Sequence, residues 1–593
     1  MREAKTSPVQ LTAAATGALP RALLLAICII YGLTGLFHRD PWKNEDAAGF
    51  GVMWQLATGG VHDWLMPNIA GRPFTEDGPL VFWIGAAMIR LFGGWLGAPD
   101  ASRLATALCF FGTCAFIWYT TYLLGRRDEV QPFAYAFGGQ PSARDYGRTL
   151  ADGALLVFLA CVGLAVRGHE TTAQVGQVAL IAMILYGLVR SLDKPVQGSL
   201  VFGLGLGALT LASGPILPLA LLVAATICTA VCAPMPGRRL GAIGVPLALL
   251  IVAAWLAATY FSTADRHEAV TFIREWARYD RRSYGAPNMQ SFGFNMRNLF
   301  LYAWPVWPIA AWAWLAWAGM RRAPHVALPL ALLLPTLVML FLQTNASDVQ
   351  FILLLPPMAI LGAFALPTLA RGVINAIDWF ALLFFTIFGG TVWFLWLAKT
   401  TGWPPRIAGN VFRQLPGYQH HFKLSSVIFA LLVTVAWVLV VRWRLSRAPK
   451  QIWRPVVISA AGTTLMWVMA MTLWLPSINY GKTYRDVVEA AAMALPSTYQ
   501  CVQPIRMGNA QLASFAYFGH FRFGGPEDGC DILLRHDSAD YGDPSKISHF
   551  EWRLIWEGRR PADRDERFRM YRLVDTSRNT HARPELPRHR LPQ

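Results

Sequence analysis

About thirteen apolar runs, each near the length that crosses a hydrocarbon core, recur along this chain. They fall near 20–37, 101–124, 149–166, 173–189, 198–212, 215–233, 240–261, 299–320, 326–342, 349–370, 376–398, 424–441 and 456–475. Charge is correspondingly scarce. Only 15% of the residues are charged, where a soluble domain carries about 25%. A soluble enzyme, a disordered chain, a collagen-like fibre and a coiled coil are excluded. Residues 1–475 are expected to form an all-α polytopic membrane domain. One further run, 79–96, is interrupted by Arg90 and by Gly93-Gly94. It reads as an interfacial helix rather than a span.

The net charge of +17 admits two explanations, nucleic-acid binding or an excess of Lys and Arg on cytoplasmic loops. The distribution favours the second. Arg126, Arg127, Arg144, Arg148, Arg190, Lys194, Arg238, Arg239, Arg321, Arg322, Arg371, Arg442, Arg444, Arg447, Lys450 and Arg454 occupy alternate connections. A cytoplasmic N-terminus places all of them on one side. The other side then receives the longer loops 38–100, 262–298 and 399–423, together with everything after 475. No nucleic-acid partner is needed. The first run has no convincing small-residue cleavage site behind it and reads as an uncleaved anchor.

Composition changes at 476. About 117 residues follow, enough for a small domain. Residues 483–495 carry helical periodicity ending at Pro496, and 500–507, 530–536, 549–556 and 568–574 read as short strands. Residues 476–593 are therefore expected to be a small extracytoplasmic α/β domain with a disordered basic, Pro-rich tail. Six of the eight cysteines lie in apolar runs or at their ends, as small hydrophobes. Cys501 and Cys530 lie in the tail domain. An oxidising compartment would permit a disulfide between them, and two free thiols are the alternative.

Because acids are scarce, their clusters are informative. The loop 38–100 holds two adjacent pairs, Glu45 with Asp46 and Glu76 with Asp77. A carboxylate there can act as a general base toward a hydroxyl, and neighbouring carboxylates can hold a divalent cation. Glu45 and Asp46 also precede a helical pattern, where an acid can serve only as a cap. Asp77-Gly78 can equally be a turn. In loop 262–298, Arg274, Arg278 and Arg281 or Arg282 recur at three- and four-residue spacing, so they can share a helix face. Guanidinium forks match phosphate oxygens, though such a face can also be merely solvated. Gly203, Gly205 and Gly207 lie in an apolar run and read as helix packing. His420 and His421 are adjacent, a poor spacing for shared metal ligation from a helix. Walker, Rossmann and G-x-S-x-G motifs are absent. Ionisable residues within the runs are nearly absent, Asp152 and Asp193 lying near run ends, which disfavours an ion-coupled transporter.

The first loop resembles the GT-C-type membrane glycosyltransferases, which include bacterial aminoarabinose lipid A transferases and protein O-mannosyltransferases. Pro41-Trp42-Lys43-Asn44-Glu45-Asp46-Ala47 resembles the family's P-W-x-x-D-E-A. His62-Asp63-Trp64-Leu65-Met66-Pro67-Asn68-Ile69-Ala70-Gly71-Arg72-Pro73 resembles its G-D-W-x-x-P-x-x-x-G-x-P. Glu76-Asp77-Gly78-Pro79-Leu80-Val81-Phe82-Trp83 resembles its [DE]-K-P-P-L-x-x-W. Residues 205–217 and 351–361 are similar to its later G-L-x-x-L-T-K-G-P and Y-x-L-P-x-x-P-x-L-A-L segments. The chain departs from the pattern at three basic positions. Asp77 and Ser213 stand where the family has Lys, and the basic residues expected before 351 are replaced by Ser347-Asp348-Val349-Gln350.

The resemblance implies a GT-C-like fold in a bacterial inner membrane with the C-terminal domain periplasmic. It implies a polyprenyl-phosphate sugar donor and a lipid, glycan or protein acceptor. Glu45 or Asp46 would be the catalytic base. Arg72, Arg274, Arg278, Arg281 and Arg282 would meet the donor phosphate, and a divalent metal ion at Glu76 and Asp77 is the possible cofactor. Two rival readings are a family member that binds a lipid-linked sugar without transferring it, and a lipid or sugar transporter.

Overall fold

The computed structural model describes residues 7–17, 19–232, 237–286, 289–419, 422–445, 452–525, 527–538, 552–563 and 565–574. His420, His421, Arg447, Lys450 and the basic tail from 575 onward lie outside the described residues.

The apolar runs fold as helices. Among the described residues, eight helices are long and apolar enough to cross a membrane. The count is nine if Met289–Tyr302 and Val306–Ala316, bent by 88°, form one broken span. Pro305 lies in that break, where a residue without an N–H cannot continue a helix ladder. Arg21–Leu33, Ile216–Val231 and Asp348–Ala363 occupy three more of the expected runs but are shorter. The 149–166 run is divided between Ala143–Leu159 and Val162–Arg167. The multi-span membrane protein is thus observed, and length and composition do not confirm a count of thirteen.

The bundle is unevenly packed. Phe158, Ile181, Leu185, Leu354, Phe364 and Ile458 are buried in one central core. The helices Arg371–Thr401 and Leu424–Leu445 reach it through only a few buried residues, Ala381, Trp396, Ala430 and Trp437. Their apolar stretches are only 17% and 11% buried, so both face lipid along most of their length.

At one end of the bundle, residues of the first loop form Glu45–Thr58, Val61–Leu65, a short hairpin pairing Asn68–Ile69 with Arg72–Pro73, and Leu80–Leu96. The C-terminal region packs on it. Its four strands run in the order Val502–Ile505, Ile532–Ser538, Glu566–Leu573, Trp552–Gly558. The first pair is parallel and the others antiparallel. Helices Arg485–Ala494 and Asn509–Gly519 complete it; only the first follows from the sequence pattern. Cys501 and Cys530 are joined by a disulfide.

Close packing holds the two regions together. A Cβ at Gly51 would lie 2.3 Å from that of Ala513, so only glycine lets the helices Glu45–Thr58 and Asn509–Gly519 meet this closely. The Phe50 and Tyr517 rings pack edge to face at 4.8 Å. Lys43 pairs with Asp563 at 3.2 Å, and Arg485 Nε donates to Asp40 at 3.2 Å.

Candidate active site

A cavity of about 210 Å³ opens between the first loop and the bundle. Four carboxylates line it: Glu45, Glu76, Asp77 and Asp280. Among the described residues no Lys, Arg or His lines it. Thr172, Gln174, Gln177, Tyr279, Tyr284 and Ser347 supply further polar groups.

Helix geometry separates the first acidic pair. Successive residues on a helix point about 100° apart. Glu45, the first residue of its helix, lines the cavity. Its Oε1 accepts from Ser347 Oγ at 3.1 Å, while Oε2 has no hydrogen-bond partner and lies 4.0 Å from Arg167 Nη1. Arg167 is already engaged, donating to both oxygens of Glu170 at 2.9 Å and to Asp348 at 2.6 Å.

Asp46 turns into the protein. Its side chain and that of Arg39 are 0% exposed and pair at 2.7 Å. It also accepts from the amides of Trp42 at 2.8 Å and Thr171 at 2.6 Å, and from Thr171 Oγ1 at 2.7 Å. Burial pushes its carboxyl upward, but Arg39, Arg103 and these hydrogen bonds win and hold it well below the usual carboxylate range. Asp46 does not line the cavity. It ties the first loop to Thr171.

The second pair stays together at the cavity. Burial, reinforced by Glu76, pushes the Asp77 carboxyl up to about 7, against the opposing amides of Gln177 and Gln174. Gln177 Nε2 donates to Asp77 at 3.0 Å. Desolvation at the cavity mouth raises Glu76, with Arg72 and Asn509 opposing and Glu45 adding to the rise. Asn509 Nδ2, from the C-terminal region, donates to Glu76 at 2.7 Å. Among the described residues no three His, Cys, Asp or Glu side chains gather into a metal-binding set. Glu76 and Asp77 stand as a pair rather than as part of such a set.

The Arg-rich helix, Arg266–Arg282, faces the other way from its expected role. Asp265 caps it, accepting from the His267 amide at 2.8 Å. Ala269, Phe272, Trp276 and Asp280 form its buried stripe. Arg274, Arg278, Arg281 and Arg282 are exposed on the remaining surface and do not line the cavity. Arg278 pairs with Glu275. The helix packs by its apolar face and turns these four cations out. Arg72 is exposed on the short hairpin, close enough for its charge to act on Glu76.

What the helix does bring to the cavity is Asp280, which the sequence reading missed. Its Oδ2 accepts from the Ile216 amide at 2.9 Å and so caps the helix Ile216–Val231. Burial pushes its carboxyl up to about 6, opposed by that amide. Gly214, at φ +123°, makes the approach possible, since a Cβ there would lie 2.5 Å from the Asp280 carboxyl carbon. A carboxylate continuing the apolar stripe at 269, 272 and 276 was the available sequence signal. Thr172 has a different character. It is 3% exposed, lines the cavity, and its hydroxyl has no partner.

No family model and no curated protein matches this sequence. Solved structures do match the fold. ArnT from Cupriavidus metallidurans bound to undecaprenyl phosphate aligns with a TM-score of 0.64 at 16% identity, covering 93% of this chain and 97% of that one. Its apo state aligns with a TM-score of 0.62 at 16% identity and the same coverage. Along nearly its whole length, then, this chain shares the fold of ArnT.

Proposed function

We propose that this protein is a membrane glycosyltransferase that moves a sugar from a polyprenyl-phosphate-linked donor to an envelope acceptor, a lipid, glycan or protein. The observation that carries the reading is Glu45. On a fold shared with ArnT bound to undecaprenyl phosphate, it places a carboxylate in the wall of a polar cavity, one oxygen held by Ser347 at 3.1 Å and the other 4.0 Å from Arg167. In this reading the protein sits in a bacterial inner membrane with its N-terminus cytoplasmic and its C-terminal region periplasmic.

Glu45 takes the proton from an acceptor hydroxyl. The acceptor oxygen attacks the anomeric carbon, the bond from that carbon to the phosphate oxygen breaks, and polyprenyl phosphate leaves with the electron pair. Attack opposite the leaving group inverts the anomeric centre. Thr172, Gln174 and Gln177 offer hydrogen bonds to sugar hydroxyls. The leaving phosphate gathers negative charge, and Arg72, whose charge acts on Glu76, is the basic candidate to meet it.

A second reading, binding of a lipid-linked sugar without transfer, is favoured by the absence of any cation among the cavity-lining residues. Incubating purified protein with a radiolabelled polyprenyl-phosphate sugar and envelope lipids separates the two. Transfer requires label on the acceptor and its loss in Glu45→Gln. Donor that is retained but never turned over supports the second reading and sinks the first. Mass spectrometry of envelope lipids and glycans from a deletion strain identifies the missing sugar and its acceptor class.

A further inference from the structure

Residues 379–485 contain no Asp or Glu. The stretch includes loop 399–423, which carries Lys399, Arg406, Arg413 and Lys423. Lys399, at the end of the lipid-facing helix Arg371–Thr401, is 3% exposed. Among the described residues no carboxylate lies within ion-pair distance of its ammonium, and Ser477 Oγ, at 2.8 Å, is its hydrogen-bond partner. Two aromatic rings complete its surroundings, Trp474 at 4.3 Å and Tyr418 at 5.7 Å from Nζ. Cation–π contacts offset only part of the cost of burying an ammonium. An ammonium also has three donors, and Ser477 accepts one.

Tyr418 links this ammonium to a small recess. The recess is lined by Tyr418, Lys423, Ser426 and Thr472, with Trp396 at its wall. The Tyr418 hydroxyl is buried and, among the described residues, without a partner. Beside it lies the helix Pro405–Gln414, with Ala408 buried and Arg406 and Arg413 exposed. Among the described residues the basic side chains here have no carboxylate beside them, and the neighbouring helix Leu424–Leu445 is only 11% buried over its apolar stretch, so it opens the site to lipid.

We propose that Lys399, Lys423 and Tyr418, with Arg406 and Arg413 at the rim, bind the phosphate of an anionic phospholipid headgroup, at a site separate from the carboxylate-lined cavity. A headgroup phosphate supplies the acceptors and the charge that the protein omits here. Its acyl chains lie along the lipid-facing helices.

The test is native mass spectrometry of the purified full chain with phosphatidylglycerol or phosphatidylcholine added. The wild type should retain phosphatidylglycerol preferentially. Lys399→Met and, separately, Lys423→Gln should each lower that retention about fivefold and leave phosphatidylcholine unchanged. Lys423 is exposed, so its variant keeps the test decisive should Lys399→Met fail to fold. Equal retention of both lipids by the wild type overturns the proposal, as does unchanged phosphatidylglycerol retention in the variants. Radiolabelled inorganic phosphate binding with the same Lys dependence, without lipid selectivity, overturns the lipid assignment. Glu45→Gln should retain phosphatidylglycerol like the wild type, so this result stands apart from that of the transfer assay.

Discussion

The carboxylate-lined cavity and loop 399–423 are opposites. The first holds Glu45, Glu76, Asp77 and Asp280 with no cation among its lining residues. The second holds Lys399, Arg406, Arg413 and Lys423 in a stretch without a single acid. A net charge of +17 describes neither. What matters in each place is which charges lack a partner, because an uncompensated charge in a dry or half-dry setting is costly and selects what binds there. In the cavity burial raises the Asp77 and Asp280 carboxyls, so each takes up a proton at a higher pH than an ordinary carboxylate. An ammonium like Lys399 is relieved by aromatic faces and, as proposed, by an anion.

The largest effect that would break this contrast is at Glu45. Glu45→Gln should reduce sugar transfer by about 10²–10⁴-fold while leaving the protein folded; full activity in the variant removes the base assignment. Its neighbour should behave differently. Asp46→Ala strands Arg39 in the interior and should destabilise by about 3–5 kcal/mol, read as a lowered melting temperature in detergent. If Asp46→Ala melts like the wild type yet loses activity, the division of labour drawn between these two acids is wrong.

A smaller effect concerns pH. Asp77 has an ordinary carboxylate pKa in the unfolded chain, near 3.8, and about 7 in the folded one. The folded state therefore holds its proton more tightly. The stability contributed by that group is fully present below about pH 4 and is lost as pH rises through 7. Asp77→Asn should flatten the fall in melting temperature between about pH 4 and 7. An unchanged slope would show that the cavity does not shift this carboxyl. The smallest effect is expected on the outward Arg face. Arg274→Ala with Arg278→Ala should change stability by less than about 0.5 kcal/mol and leave donor retention unaltered. A clear loss of donor binding would return the phosphate to that helix.

Much of the fold was legible because membrane spans and strands are written locally. Runs of apolar residues gave the bundle, and the periodicity shift after 476 gave a helix and four short strands close to where they lie. The helix Asn509–Gly519 was not legible, since its buried Ala510, Leu512, Ala513, Phe515 and Ala516 lack a single apolar stripe. The site was legible only in part. Scarcity of acids pointed to the first loop, but Asp280, Thr172, Gln174, Gln177 and Ser347 reach the cavity from elements far apart in sequence.

By itself, the sequence determined that this is a multi-span membrane protein with a small α/β region after it, because hydrophobic length and period act residue by residue along the chain. Tertiary structure decided which side chains share a cavity. The rotational setting of each helix comes from the partner it packs on. That packing turned Asp46 inward beside Glu45, and it sent Arg274 and Arg278 outward while drawing Asp280 in.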